Sequence, residues 1–505
     1  MFEGQPKGLY ALALANTGER FGYYTMIAVF SLFLRANFGL SAGTAGLIYS
    51  IFMGAVYFFP FVGGMLADKF GYGKMVTLGI FVMFLGYLLL AVPLGGDMFA
   101  MIFMCGALLC ISVGTGLFKG NLQVMVGNLY DSPELQGKRD EAFSIFYMAI
   151  NIGALFAPTA AVRIMEWAQQ SLGYSENDAY HFAFAVACLS LVVSIAIYYA
   201  FRYTFRQVEG SSADKAAETG ASEELSPAET RERIVALCLV FAVVIFFWMA
   251  FQQNGLTLTY FADEFTAKTS TGLQGMAFNV FNLVALIFIV YAVFAIFQSK
   301  TVKGRTIAAG VAVLAVAYLV FQYWQTADSI IPVSAPIFQH FNPSYVVMLT
   351  PVSLAIFGYL ARKGKEPSAP RKIAYGMVVA AVAYAIMLVG SLGLNTPDTQ
   401  HAAGDNGTFV SANWLMGTYL VLTFGELLLS PMGISFVSKV APPKYKGAMM
   451  GGWFVATAIG NLLVSVGGFL WGGYPLWVVW AVFIVLCLLS FVFMMAMMKK
   501  LEKVC

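Results

Sequence analysis

Charge is what this 505-residue chain has least of. Acidic and basic side chains make up 11% of it, while apolar side chains make up 60%. A soluble domain carries about 25% charged residues. With a mean hydropathy of +0.76, an ordinary water-soluble globule is excluded. Cysteine is scarce too. Five of the six, Cys105, Cys110, Cys188, Cys238 and Cys487, fall in apolar stretches, and Cys505 is the last residue. No C-x-x-C spacing occurs, so neither a disulfide framework nor a thiolate metal site is expected. The three histidines, His181, His340 and His401, are far apart. Neither H-E-x-x-H nor G-x-S-x-G is present, which leaves a membrane enzyme without a nucleophile–base or metal constellation. The net charge is only +3, and no nucleic-acid partner or cofactor is expected.

Long apolar runs are abundant instead. A membrane-crossing helix needs about 20 apolar residues. Fourteen stretches qualify: about 10–34, 43–67, 75–95, 98–129, 141–166, 180–203, 232–261, 275–298, 304–325, 337–361, 372–394, 413–438, 446–471 and 474–498. The runs are long and do not alternate, so they read as helices rather than barrel strands. The expected class is an all-α polytopic membrane protein in the lipid bilayer. If the N-terminus is cytoplasmic, the inward-facing segments hold 24 of the 29 lysines and arginines. Arg35, Arg163 and Lys268 fall outside, and Arg20 and Lys119 lie within helices. That asymmetry predicts cytoplasmic N- and C-termini and an even number of spans. The first apolar run is long and carries charge, so no cleavable signal peptide is expected. The location expected is the cell inner membrane.

One segment is not membrane-like. Residues 207–233, QVEGSSADKAAETGASEELSPAETRER, are small, polar and mixed in charge. They read as a cytoplasmic linker, helical near its end. The expected organisation is an N-terminal bundle over 1–206, a linker over 207–231 and a C-terminal bundle over 232–505.

The few charges inside apolar runs are informative, because a charge in hydrocarbon is kept where it faces a bundle interior or a wet cavity. The first run contains GERFGYY, residues 18–24. Asn16, Glu19, Arg20, Tyr23, Tyr24 and Ile27 recur at helical spacing and share a face. Either Glu19 and Arg20 form a structural ion pair, or the face lines a solute or proton pathway. In the fourth run Ser112, Thr115, Lys119 and Gln123 form a polar stripe. Lys119 needs an anion, either Glu19 or a solute carboxylate. In the twelfth run Thr423, Glu426 and Ser430 precede Pro431, and Glu426 suits a proton or an ammonium group. At the edge of the second run, GGMLADKFGYGK (63–74) contains Asp68, placed to meet a helix N-terminus or basic residues and latch one conformation. Small residues there permit close helix approach.

That loop resembles the major facilitator signature G-x-L-A-D-x-x-G-x-[KR], and six runs before a long linker resemble that superfamily's layout. Further motifs narrow the resemblance. ERFGYY in the first run, FKGN (118–121), FSIFYMAINIGAL (143–155), GELLLSP (425–431) and MMGGWFVATAIGN (449–461) are similar to motifs of the proton-dependent oligopeptide transporter family. FWMAFQQNG (247–255) and FNPSYVVMLTP (341–351) resemble its seventh and eighth core helices. The likeness runs from about residue 10 to 495. It implies a major facilitator fold of two six-helix bundles plus two extra helices. The extra pair, at about 275–325, falls between the seventh- and eighth-helix motifs.

The resemblance also assigns residues. Arg20 and Lys119 would hold a peptide carboxylate. Glu426, with Asn151 and Asn342, would hold the amino terminus, and Ser430 would polarise Glu426. Tyr23, Tyr24, Tyr57 and Trp453 would line the cavity, and Glu19, Arg20, Lys119 and Glu426 would couple protons to transport. A short peptide is a zwitterion, and the cations and the acid lie in opposite halves of the sequence, so a bound peptide would couple binding to closure. Three positions depart from the family pattern: Asn16 and Gln253 stand where acids are usual, and Ile27 where an arginine is usual. The last two departures are consistent, since removing one partner alone would strand a buried charge. The extracellular gate must then close by other contacts. The expected function is import of di- and tripeptides by proton symport through alternating access, with the proton gradient as energy source and a monomer sufficient. Two alternatives stand beside it: a proton-independent facilitator or carrier of another small anion such as nitrate, and, least favoured, a membrane enzyme.

Overall fold

A computed structural model describes residues 4–135, 138–210, 226–442 and 445–504. Most of the polar linker, residues 211–225, lies outside the described residues, as does Cys505.

Long apolar runs become helices because a helix satisfies its backbone within the segment. In chain order the long ones are α1 (Lys7–Phe38), α2 (Ala42–Phe70), α3 (Tyr72–Ala91), α4 (Met98–Asn128), α5 (Arg139–Leu172), α6 (Glu176–Ala200) and α7 (Pro227–Phe251). They continue as α8 (Val280–Gln298), α9 (Val302–Thr326), α10 (Phe341–Arg362), α11 (Ala369–Gly390), α12 (Asn413–Val440), α13 (Lys446–Leu462) and α14 (Leu476–Lys503). Among the described residues, thirteen helices are long and apolar enough to cross a membrane. The expected fourteenth is α1. It is a continuous helix of 32 residues, but Asn16, Glu19 and Arg20 dilute its apolar character.

Polar side chains mark several starts. Ser41 accepts from Thr44 N at 3.2 Å, and Asp97 accepts from Ala100 N at 2.8 Å. Ser226 and Glu229 form a reciprocal capping box ahead of α7, which closes the linker with helix as the sequence predicts. The sole ladder among the described residues pairs two-residue strands, β1 (Thr269–Ser270) and β2 (Ile331–Pro332), antiparallel.

The chain divides into two compact units. The first holds residues 1–256, 434–470 and 496–505; the second holds 257–433 and 471–495. In the first, α1 packs on α5 and α6, α4 on α2 and α3, and α13 on α2 and α7. The α2–α4 approach is so close that a Cβ on Gly63 would come within van der Waals distance of the Gly116 carbonyl, so neither position has room for a side chain. In the second, α8 and α9 form an antiparallel pair, and α8 packs on α10. They lie between the FWMAFQQNG and FNPSYVVMLTP motifs. Ala308 is the one buried residue of α9 among those described, and a helix apolar all round with so little protein cover faces lipid.

Candidate solute-binding site

The polar face of α1 is held in place by the helices behind it. Gly18 and Gly22 sit against α6, where a Cβ on Gly22 would collide with Ser190 Oγ. Ser194 Oγ donates to Ala15 O at 2.5 Å. On α5, a Cβ on Gly153 would approach Thr17 O to 2.8 Å, and Thr17 Oγ1 donates to Ala149 O at 3.1 Å. These small residues in GERFGYY and FSIFYMAINIGAL bring three helices together, and the four-residue glycine spacing is their signature.

On the face so fixed, Glu19 and Arg20 are buried, 0% and 3% exposed. The guanidinium forks onto the carboxylate: Nε donates to Oε2 and Nη2 to Oε1, both at 2.5 Å. The structural ion pair considered for this face therefore exists, in bidentate form. Arg20 also stands 4.8 Å from the Tyr23 ring centre. Tyr23 OH donates to Met53 Sδ of α2 at 3.2 Å, and Tyr24 meets Tyr23 edge-on at 5.3 Å.

With both Glu19 oxygens engaged, Lys119 of α4 has no ion-pair partner among the described residues. Its ammonium lies 4.1 Å from the Tyr57 ring centre, and it feels both Arg20 as a like charge and the engaged Glu19 as an opposite one. Of the two anions open to Lys119 from sequence, Glu19 is thus occupied. The predicted α4 stripe divides. Thr115 turns to Met83 Sδ of α3 at 3.3 Å, and Ser112 donates to Leu108 O at 2.8 Å. Asn151 is buried on α5 and donates to Tyr147 O one turn back at 3.0 Å.

The same unit contains Ile27 and Gln253, the positions where the resemblance has a charge pair. Gln253 is wholly buried, and its amide donates to Met249 O and to Val464 O, at 3.3 and 3.0 Å. Asn461 Nδ2 of α13 reaches Met53 O at 3.4 Å, so Met53 links α1, α2 and α13. Amide–carbonyl contacts thus stand where the resemblance has a charge pair. Trp453 is buried edge-on to Phe241 of α7 at 6.5 Å. Met53 was not visible from sequence, since a thioether at that spacing reads as core.

In the second unit, Glu426 sits half-buried in α12. Asn342, the second residue of α10, donates Nδ2 to Glu426 Oε2 at 2.9 Å and to Thr423 Oγ1 at 3.0 Å. Ser430 makes no hydrogen bond among the described residues, so the group acting on Glu426 is Asn342 and not Ser430. No lysine or arginine described in this unit pairs with Glu426. Asp68, expected at the edge of the second run, is exposed at the end of α2 and accepts a hydrogen bond from Tyr72 OH.

The histidines stay scattered, in α6, before α10 and in the short helix Pro397–Ala403. Among the described residues no cluster of His, Cys, Asp and Glu can hold a metal ion. Thirteen apolar spans among the described residues, with Glu19 and Arg20 buried on α1, make this a polytopic membrane protein. The chain belongs to the POT family, the proton-dependent oligopeptide transporters, whose model matches residues 73–219 and 317–467. It is 26% identical over 489 residues to the peptide transporter YePEPT of Yersinia enterocolitica, covering 92% of this chain and 88% of that one. It is 26% identical over 486 residues to dipeptide and tripeptide permease A of Escherichia coli, covering 93% and 84%. A crystal structure of a peptide transporter in complex with sulfate shares the fold with a TM-score of 0.74, at 23% identity over 100% of this chain and 96% of that one. The fold is thus of the major facilitator type.

Proposed function

We propose that the protein moves di- and tripeptides across the bacterial inner membrane by alternating access, with both termini cytoplasmic. The observation that carries this reading is the state of Lys119: a cation within an apolar bundle, beside Arg20, with no carboxylate of its own. Such a group calls for an anion from outside the protein. The peptide C-terminus supplies it, and Arg20 can add a bidentate contact once Glu19 releases it. Glu426 is the complementary receptor. An isolated ionised carboxylate is costly to bury, and Asn342 offers only a neutral donor. A peptide ammonium or a proton relieves it. Tyr23, Tyr24, Tyr57 and Trp453 supply aromatic walls, with Asn151 a further amide donor, and Asp68 acts as the conformational latch beside Tyr72. The relatives named as peptide transporters support this substrate class.

Proton symport follows from the same groups. A carboxylate that draws Arg20 away leaves Glu19 without its cation, and a proton then takes the cation's place. Peptide and proton bind cooperatively through the shared arginine, and that coupling is reciprocal. Dialanine uptake into proteoliposomes, with and without an inward proton gradient, tests the reading. Accumulation above equilibrium only with the gradient is expected. Gradient-independent equilibration would make the protein a facilitator, and uptake of nitrate without dialanine would overturn the substrate class.

A further inference from the structure

A second polar feature lies in the first unit, away from the charges just described. Lys74, Thr77, Leu78 and Phe81 follow one another on α3 at i, i+3, i+4 and i+7, so they share one face. Tyr199 at the end of α6 and Arg202 in the turn after it close the other side, leaving a groove of about 300 Å³. Tyr199 OH donates to Thr77 Oγ1 at 3.1 Å. Arg202 is already committed. Its Nε donates to both Glu209 oxygens at 2.8 and 2.9 Å, and its Nη2 to Oε2 at 2.7 Å. That hydrogen-bonded carboxylate holds the guanidinium above its ordinary pKa. Glu209 is itself fixed, because Tyr198 OH donates to Oε1 at 3.0 Å and Gly73 N donates to Glu209 O at 3.1 Å. Lys74 is different: it is exposed, and among the described residues it has no acidic partner.

The groove thus has a spare ammonium and two hydroxyls at one end. Leu78 and Phe81, 47% and 56% exposed, continue it along α3. A polar, positive mouth above an apolar wall fits an amphiphile with an anionic head, and the bilayer around this chain supplies one. Basic pockets between helices at the membrane surface bind such headgroups. We propose that this groove binds an anionic phospholipid, with its phosphate on Lys74 and the Thr77–Tyr199 hydroxyls and an acyl chain along Leu78 and Phe81. The site depends on the chain spanning a bilayer and not on which solute it carries.

Native mass spectrometry of the full-length protein in detergent, titrated with phosphatidylglycerol and with phosphatidylcholine of matched chains, tests it. The first phosphatidylglycerol should bind at least about fivefold tighter than phosphatidylcholine, the contribution of one lysine near the surface. Lys74→Gln should abolish that preference, and Lys74→Arg should keep it. Lys303→Gln, an exposed lysine at the start of α9, should change nothing. Inorganic phosphate should not compete. Equal phosphatidylglycerol binding by Lys74→Gln and the unaltered protein, an equal loss in Lys303→Gln, or no preference between the lipids would overturn the proposal. Displacement by inorganic phosphate alone would make the groove a free-anion site and overturn it too.

Discussion

Glu19 and Glu426 are both carboxylates inside apolar helices, yet their surroundings are opposite. Glu19 is wholly buried, with both oxygens on the Arg20 fork. Glu426 is half-buried, and its partner is the neutral amide of Asn342. The first is a closed pair, which yields only to a competitor that matches a bidentate contact. The second is an open receptor, which a cation or a proton completes. A buried pair costs most when one member is removed, because the survivor is left charged and unpartnered. An acid with neutral partners carries no such hidden dependent.

The largest contrast should therefore appear in stability. Glu19→Gln should lower it by about 3–5 kcal/mol, the usual cost of stranding a buried charge. Glu426→Gln should stay within about 1 kcal/mol, since the amide keeps one ordinary hydrogen bond to Asn342. Thermal unfolding of the purified variants in detergent checks both. Equal losses would break the contrast.

Arg20→Lys comes next. It keeps the charge but removes the fork, and should cut dialanine uptake about 100-fold, the ~1.5–3 kcal/mol of a hydrogen bond to a charged group. Wild-type uptake in that variant would mean the bidentate geometry is not used. Lys119→Gln should cost uptake about tenfold or more and lower stability by no more than the ring-face contact it loses, about 0.5–2 kcal/mol. A large drop in stability would show that Lys119 has a structural partner instead.

The last expected effect is a coupling, between Gln253 and Ile27. Gln253→Glu alone should destabilise by placing an unpaired carboxylate at a wholly buried position. Adding Ile27→Arg should recover it, with a coupling of about 1–2 kcal/mol, within the range for residues in contact. Simple additivity would show that the two positions do not meet.

Most of this architecture was legible because membrane spans and isolated charges are loud signals in an apolar chain. Thirteen of the fourteen expected spans are apolar enough by themselves, and the exception, α1, falls short through Glu19 and Arg20, the residues that single it out. Asn342 beside Glu426 could be anticipated because each lies in its own recognisable motif. What periodicity could not give was direction. Thr115 shares a stripe with Lys119 yet bonds Met83, and Ser430 lies one turn from Glu426 yet makes no hydrogen bond to it. Glu19 and Arg20 are neighbours in sequence, and adjacent helical residues do not ordinarily face each other. Their fork needs the long arginine to curl back, which spacing does not encode. Asp68 was expected at the edge of its run and is there, exposed at the end of α2.

The proposal that most needs a test is that Lys119 reads a peptide's carboxylate and Glu426 its ammonium group. Competition against labelled dialanine uptake in proteoliposomes, using dialanine, its N-acetyl derivative and its C-terminal amide, tests this most directly. Each capped peptide should compete at least about tenfold less well than dialanine, the ~1.4 kcal/mol of one charge-assisted contact. Glu426→Gln should erase the penalty for acetylation alone, and Lys119→Gln should reduce the penalty for amidation alone, Arg20 keeping the rest. Equal competition by all three ligands in the unaltered protein, or the same penalties in both variants, would contradict the account.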